Sequence, residues 1–111
     1  MATVRKILGQ HNPTASTVET VYTVPAATEC VISSIVVCNT SDTGVADSFS
    51  IAVIPSGSTL ATENLIYVLI PINGFSTFIA TIGITLGAGD FVQVFSTTGS
   101  SSFSLFGQEI T

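Results

Sequence analysis

A chain of 111 residues is long enough for one domain and for a core that holds without staples. Hydrophobic residues make up 46% of it and charged residues only 8%, against about 25% in ordinary soluble domains, so much of the surface must be Ser, Thr, Asn, Gly and apolar atoms. That composition suits a subunit covered by neighbours better than a lone monomer with mixed charge over its skin. A net charge of −5, from seven acids and two bases, leaves no basic patch and speaks against nucleic acid as a partner.

Residues 1–17 read as an extended N-terminal arm. Both cations, Arg5 and Lys6, sit in it, and Asn12-Pro13-Thr14 breaks any helix. The residues after the cations, Ile7 to Asn12, supply no apolar core of a signal peptide. A basic arm on an acidic body suits an acidic neighbour.

Residues 18–111 read as one domain of short strands separated by turn chemistry. The first, 18–24, ends at Pro25. The second, 29–38, is β-branched (Val31, Ile32, Ile35, Val36, Val37) and apolar on both faces in its later part, as in a central strand. Its two cysteines, Cys30 and Cys38, are eight residues apart, which in one strand means roughly 26 Å and the same face, so they do not pair. They read as small buried hydrophobes of a chain assembled in a reducing cytoplasm. After a loop at 39–44, residues 47–54 alternate: Phe49, Ile51 and Val53 point one way, Ser48, Ser50 and Ala52 the other. Pro55-Ser56-Gly57-Ser58 turns the chain, and 59–64 is the one place for a short helical turn. A strand over 65–70 is closed by Pro71, Asn73-Gly74 marks a tight turn, and 75–86 is a strand in which Gly83 marks a bulge or bend. Gly87-Ala88-Gly89-Asp90 turns again, 91–96 is a strand, 97–102 is a polar hairpin loop, and 103–110 completes the pattern. Residues 64–89 carry no charge and are long enough to span a bilayer, but Pro71, Asn73, Gly74 and the period of two make them two strands and a turn, with no membrane implied. Seven or eight strands, with turn signals about every 8–12 residues, predict an all-β, single-domain antiparallel β-sandwich, jelly-roll or Ig-like.

No enzyme is predicted, and no catalytic, cofactor-binding or metal-binding residue is assigned. The one histidine, His11, lies in the arm. The carboxylates Glu19, Glu29, Asp42, Asp47, Glu63, Asp90 and Glu109 form no i, i+2 pair, sit beside turns or strand ends, and read as solvated charge. Asp42 and Asp47 flank Gly44 without the alternating oxygen ligands of a calcium loop. Asp90 reads as turn chemistry, and Asn39-Thr40-Ser41, formally a glycosylation acceptor, as a loop. Phe49, Phe78, Phe91, Phe95, Phe103 and Phe106 sit in strand patterns and read as mostly core, and the absence of Trp disfavours a sugar-binding platform.

The ordered series Tyr22-Thr23-Val24-Pro25, Ser33-Ser34-Ile35-Val36-Val37-Cys38-Asn39, Phe49 to Val53, Pro71, Phe78, Gly83-Ile84-Thr85-Leu86 with Gly89-Asp90, and Ser104-Leu105-Phe106-Gly107 resembles a family of small virion proteins of tailed bacteriophages, cyanobacterial phages among them. The resemblance covers residues 9–111. It implies a structural part of the virion, assembled in the host cytoplasm. The favoured role is a capsid decoration (cement) protein that stabilises the head by binding between major capsid protein subunits, with the arm ordering against the shell. A tail, baseplate or fibre component is the alternative, and a host-surface or carbohydrate-binding module comes third. The resemblance also implies self-association, as a homotrimer, because capsid quasi-threefold sites favour three copies.

Overall fold

Alternating side chains and β-branched runs favour strands. The computed structural model, which describes residues 2–111, contains eight: β1 (Thr3–His11), β2 (Glu19–Thr23), β3 (Glu29–Asn39), β4 (Asp47–Ile54), β5 (Leu65–Ile72), β6 (Thr77–Leu86), β7 (Phe91–Ser96) and β8 (Ser101–Ile110). A single 3-10 turn, Thr62–Asn64, falls where a short helical turn was expected. The strands form two antiparallel four-stranded sheets, ordered β1-β8-β3-β6 and β2-β7-β4-β5, compatible with a β-sandwich. One core lies between them. Leu8, Cys30, Ile32, Ile35, Val37, Leu86, Phe103 and Leu105 enter it from the first sheet, and Tyr22, Phe49, Ile51, Ile72, Val92 and Val94 from the second. Val53 packs against this cluster, so the alternation read from 47–54 holds.

Six of the seven connections carry the chain from one sheet to the other, and only β4 to β5 stays within a sheet. The segment read as a hairpin loop at 97–102 is therefore a crossing, and β8 already begins at Ser101. The Asn73-Gly74 turn also forms, closed by the Ser76 N–H on the Asn73 carbonyl, but it joins strands of different sheets. Turn residues fix a reversal; they do not say whether the next strand pairs alongside or packs across. Gly74 is needed there for contact, because a Cβ on it would lie 2.2 Å from the Gly44 carbonyl oxygen of the neighbouring loop.

Most of the expected N-terminal arm is a strand. β1 is an edge of the first sheet, paired with β8 from Thr3 opposite Ile110 to His11 opposite Phe103. The folded body thus begins well before residue 18. Only Leu8 of β1 is buried, so hydrogen bonding rather than a hydrophobic stripe places the strand, and its sequence shows no period.

Register shifts occur in several strand pairs, and those in β3 and β6 change which way side chains face. In β3 the pairing with β8 steps from Ile32–Gly107 to Ser34–Phe106, leaving Ser33 extra. This reverses the facing along the strand. Cys30 is therefore in the core, while Cys38 lies half-buried on the other face; the expectation of a shared face fails at Ser33. Across the same point, β6 takes three steps, Thr81 to Ile84, where β3 takes two, so Gly83 lies in a bulge as expected. Pro71 does not close its strand. β5 runs on to Ile72, and proline is tolerated because β5 is an edge strand.

Candidate functional surface

The buried polar groups are structural. Asp47, read from sequence as a solvated loop charge, is 5% exposed at one end of the molecule. Its Oδ2 accepts hydrogen bonds from the hydroxyls of Ser96 and Ser101, both at 2.5 Å, and its Oδ1 accepts one from the Thr98 N–H at 2.9 Å. Burial pushes this carboxyl up, but the Ser101 and Ser96 hydroxyls and the Thr98 N–H outweigh it and hold the group below the usual aspartate range. Beside it, the buried Asn39 reaches the carbonyls of Val45 (2.9 Å), Ile72 (3.3 Å) and Asn73 (3.3 Å) through its Nδ2. Its Oδ1 accepts from the Ser41 N–H and the Ser100 hydroxyl. The amide that formally matched a glycosylation acceptor is thus consumed inside the fold. Asn12 donates to the carbonyls of Gly99 and Ser101, so all four connections at this end are laced together.

Other carboxylates are engaged as well. Glu109 accepts the Tyr22 hydroxyl hydrogen bond at 2.5 Å and pairs with Lys6 at 3.2 Å, linking β8, β2 and β1. The Tyr22 hydrogen bond holds its carboxyl below the ordinary range, and burial first, then that same bond, pushes the Tyr22 hydroxyl far up. Glu19 lies 2.5 Å from His11 Nε2, and this contact lowers its carboxyl. Asp90 keeps its expected turn role, accepting from the Gly87 N–H, and also receives the Ser56 N–H. Glu29, Asp42 and Glu63 remain exposed. Among the described residues, no group of three or more His, Cys, Asp and Glu is placed to hold a metal ion. The one histidine faces a carboxylate rather than a nucleophile.

What remains is the outer surface of each sheet. On the first, cross-strand rows run Ile7–Phe106–Ser34–Thr81 and Gln10–Ser104–Val36–Ile79, with Cys38 between Ser102 and Thr77. No acid stands in these rows. A cleft of about 560 Å³ opens beside the Ser33 bulge, lined by Arg5, Ile7, Val31, Phe106 and Gln108 among others. On the second sheet an apolar cleft of about 220 Å³ is lined by Val18, Ala52, Leu60, Leu65, Leu69 and Phe95 among others. Of the six phenylalanines read as mostly core, Phe49 and Phe103 are buried in it and Phe78 packs against it. Phe91, Phe95 and Phe106 are only half-buried and outside that cluster. Period-two patterning does not separate the inner from the outer face of a sheet that is apolar on both.

The cysteines give a simple check on these faces. Burial raises the Cys30 thiol, and thiols react as thiolates. One thiol per native chain, Cys38, is expected to react with an aromatic disulfide reagent, and the second only in denaturant. Rapid native labelling of Cys30, mapped by mass spectrometry, would show the Ser33 register to be wrong.

Comparison with known protein families, curated proteins and solved structures finds no match to this chain.

Proposed function

We propose that this chain is a structural subunit of a bacteriophage virion, and that it decorates the head, seated between major capsid protein subunits. The observation that carries this reading is the pair of acid-free, partly apolar sheet faces: an acidic protein that keeps its acids in connections, near strand ends and in side-chain pairs presents Ile7, Phe106, Val36 and Ile79 on one side, with Arg5 the cation beside them, and Phe95, Leu65 and Leu69 on the other. Interface cores are depleted of charge in this way. The family resemblance supplies the particle. With Thr3–His11 in the sheet, the faces rather than a free arm would bridge the shell.

The strand order supports reading the fold as a jelly roll rather than an Ig-like domain. Consecutive strands alternate between sheets except at β4–β5, and β1 and β2 lie in different sheets, whereas the first two strands of an Ig domain share one. Jelly rolls recur in capsid proteins.

Particles stripped of the protein are expected to lose resistance to heat and osmotic shock and to regain it on add-back. Unchanged resistance would count against cementing. Gold label on a tagged copy, found on the tail rather than the head, would move the assignment to a tail, baseplate or fibre component.

A further inference from the structure

We infer that the β5–β6 side of the molecule pairs with the same side of a second copy, with the two β6 strands antiparallel across a two-fold axis. An edge strand presents unpaired N–H and C=O groups, and proteins normally blunt such edges with charge, proline, bulges or brevity. Three of the four edges here are blunted. β1 carries Arg5 and Lys6. β2 has five residues and includes Glu19. β5 contains Pro71 and is distorted at Leu69, whose φ is 45° and whose N–H turns to the Ser50 hydroxyl. β6 has ten residues with neither charge nor proline, and its bulge lies only in the half beyond Thr81.

Charge and exposure converge on the same side. β1 and β2 lie together along one side, which leaves β5 and β6 along the other. Residues 64–89, which contain both strands and the turn between them, hold no Asp, Glu, Lys, Arg or His. They also hold the most exposed large apolar side chains, Phe75 at 71% and Ile79 at 64%, and in β5 Ile66, Val68 and Leu69 are exposed as well. A second copy fits because a two-fold contact sets a patch against itself. For a chain of net charge −5, a patch bearing acids would meet its own like charge, and this side bears none. The hydrogen-bonding row of an antiparallel edge is complementary to itself under the same rotation. The product is a pair, where capsid symmetry alone suggests three copies. The inference is independent of the virion assignment.

Sedimentation equilibrium of the purified full chain tests it. The expected mass is twice that of the chain, and a monomer or a trimer overturns the inference. Thr81→Lys, which adds an ammonium group to the otherwise uncharged pairing edge of each copy, is expected to weaken the pair at least tenfold with an unchanged circular dichroism spectrum. Thr23→Lys, on the opposite side, should leave it intact. Equal association of Thr81→Lys and the parent overturns the proposal. Should Thr81→Lys fail to fold, hydrogen exchange of the unmodified chain decides: β6 amides slow with rising concentration if it is right, and are indifferent to concentration if it is wrong.

Discussion

Phe49→Ala is expected to cost about 3–5 kcal/mol of unfolding free energy, the usual range for emptying a core aromatic site. Phe49 is fully buried on β4, and its ring lies 5.1 Å from Phe78 and 5.9 Å from Phe103, which belong to the facing sheet. Phe78 in turn meets Tyr67 edge-on at 5.3 Å. Phe49 is therefore the aromatic link through which β4 grips both β6 and β8. Each well-placed ring pair adds about 0.5–1.5 kcal/mol beyond area burial. Against a typical total of about 5–15 kcal/mol, the loss should be visible as a large fall in the urea midpoint. Phe49→Leu, which keeps most of the volume, should cost less than half as much. A loss below about 1 kcal/mol for the alanine variant would mean that the sheets do not meet at this residue.

Asp47→Ala is the second large effect, about 3 kcal/mol, because it strands two buried hydroxyls and the Thr98 N–H without their acceptor. Asp47→Asn keeps one acceptor oxygen and should cost about half of that. The pH dependence follows from the lowered carboxyl. In the unfolded chain Asp47 takes up its proton at ordinary aspartate pH, and in the folded chain only at lower pH. Its contribution is therefore complete above the ordinary range and fades as pH falls through the folded value. Glu19 and Glu109 shift the same way, so stability should decline in acid, and the Asp47→Asn profile should be flatter there. An identical acid slope in the parent and the Asn variant would remove Asp47 from the account.

The sequence carried the strands wherever one side chain in two enters the core. The segments beginning at Glu29, Asp47 and Phe91 start where the pattern places them, and Pro25, Pro55 and Gly87-Ala88-Gly89-Asp90 punctuate as their backbone chemistry requires. β1 was hidden because its only buried side chain is Leu8, and a lone residue has no period. The Ser33 bulge was hidden because an extra residue in an apolar run leaves the run apolar. Its trace is Gly107, 74 positions further on, where a Cβ would lie 2.0 Å from the Val31 carbonyl oxygen. The burial of Asp47 was hidden for the same reason of distance: Ser96 and Ser101, which satisfy it, lie 49 and 54 residues away. Nothing local distinguishes it from the exposed Asp42. The scarcity of charge on the outer faces, by contrast, was readable in the composition, since so few charges can be spread over eight strands.

The neighbourhood of β1 and β8 sets a timetable for the nascent polypeptide. β1 cannot find its partner until β8 has been synthesised, and β3 also waits for β8 on one flank. Closing such long loops before any pairing is gained costs entropy early, and folds of this kind take milliseconds to seconds rather than microseconds. Until β8 has emerged, β1 has no sheet to join and β3 keeps an open flank, so recovery of soluble protein should depend more on synthesis temperature and chaperone supply than on the stability of the finished molecule.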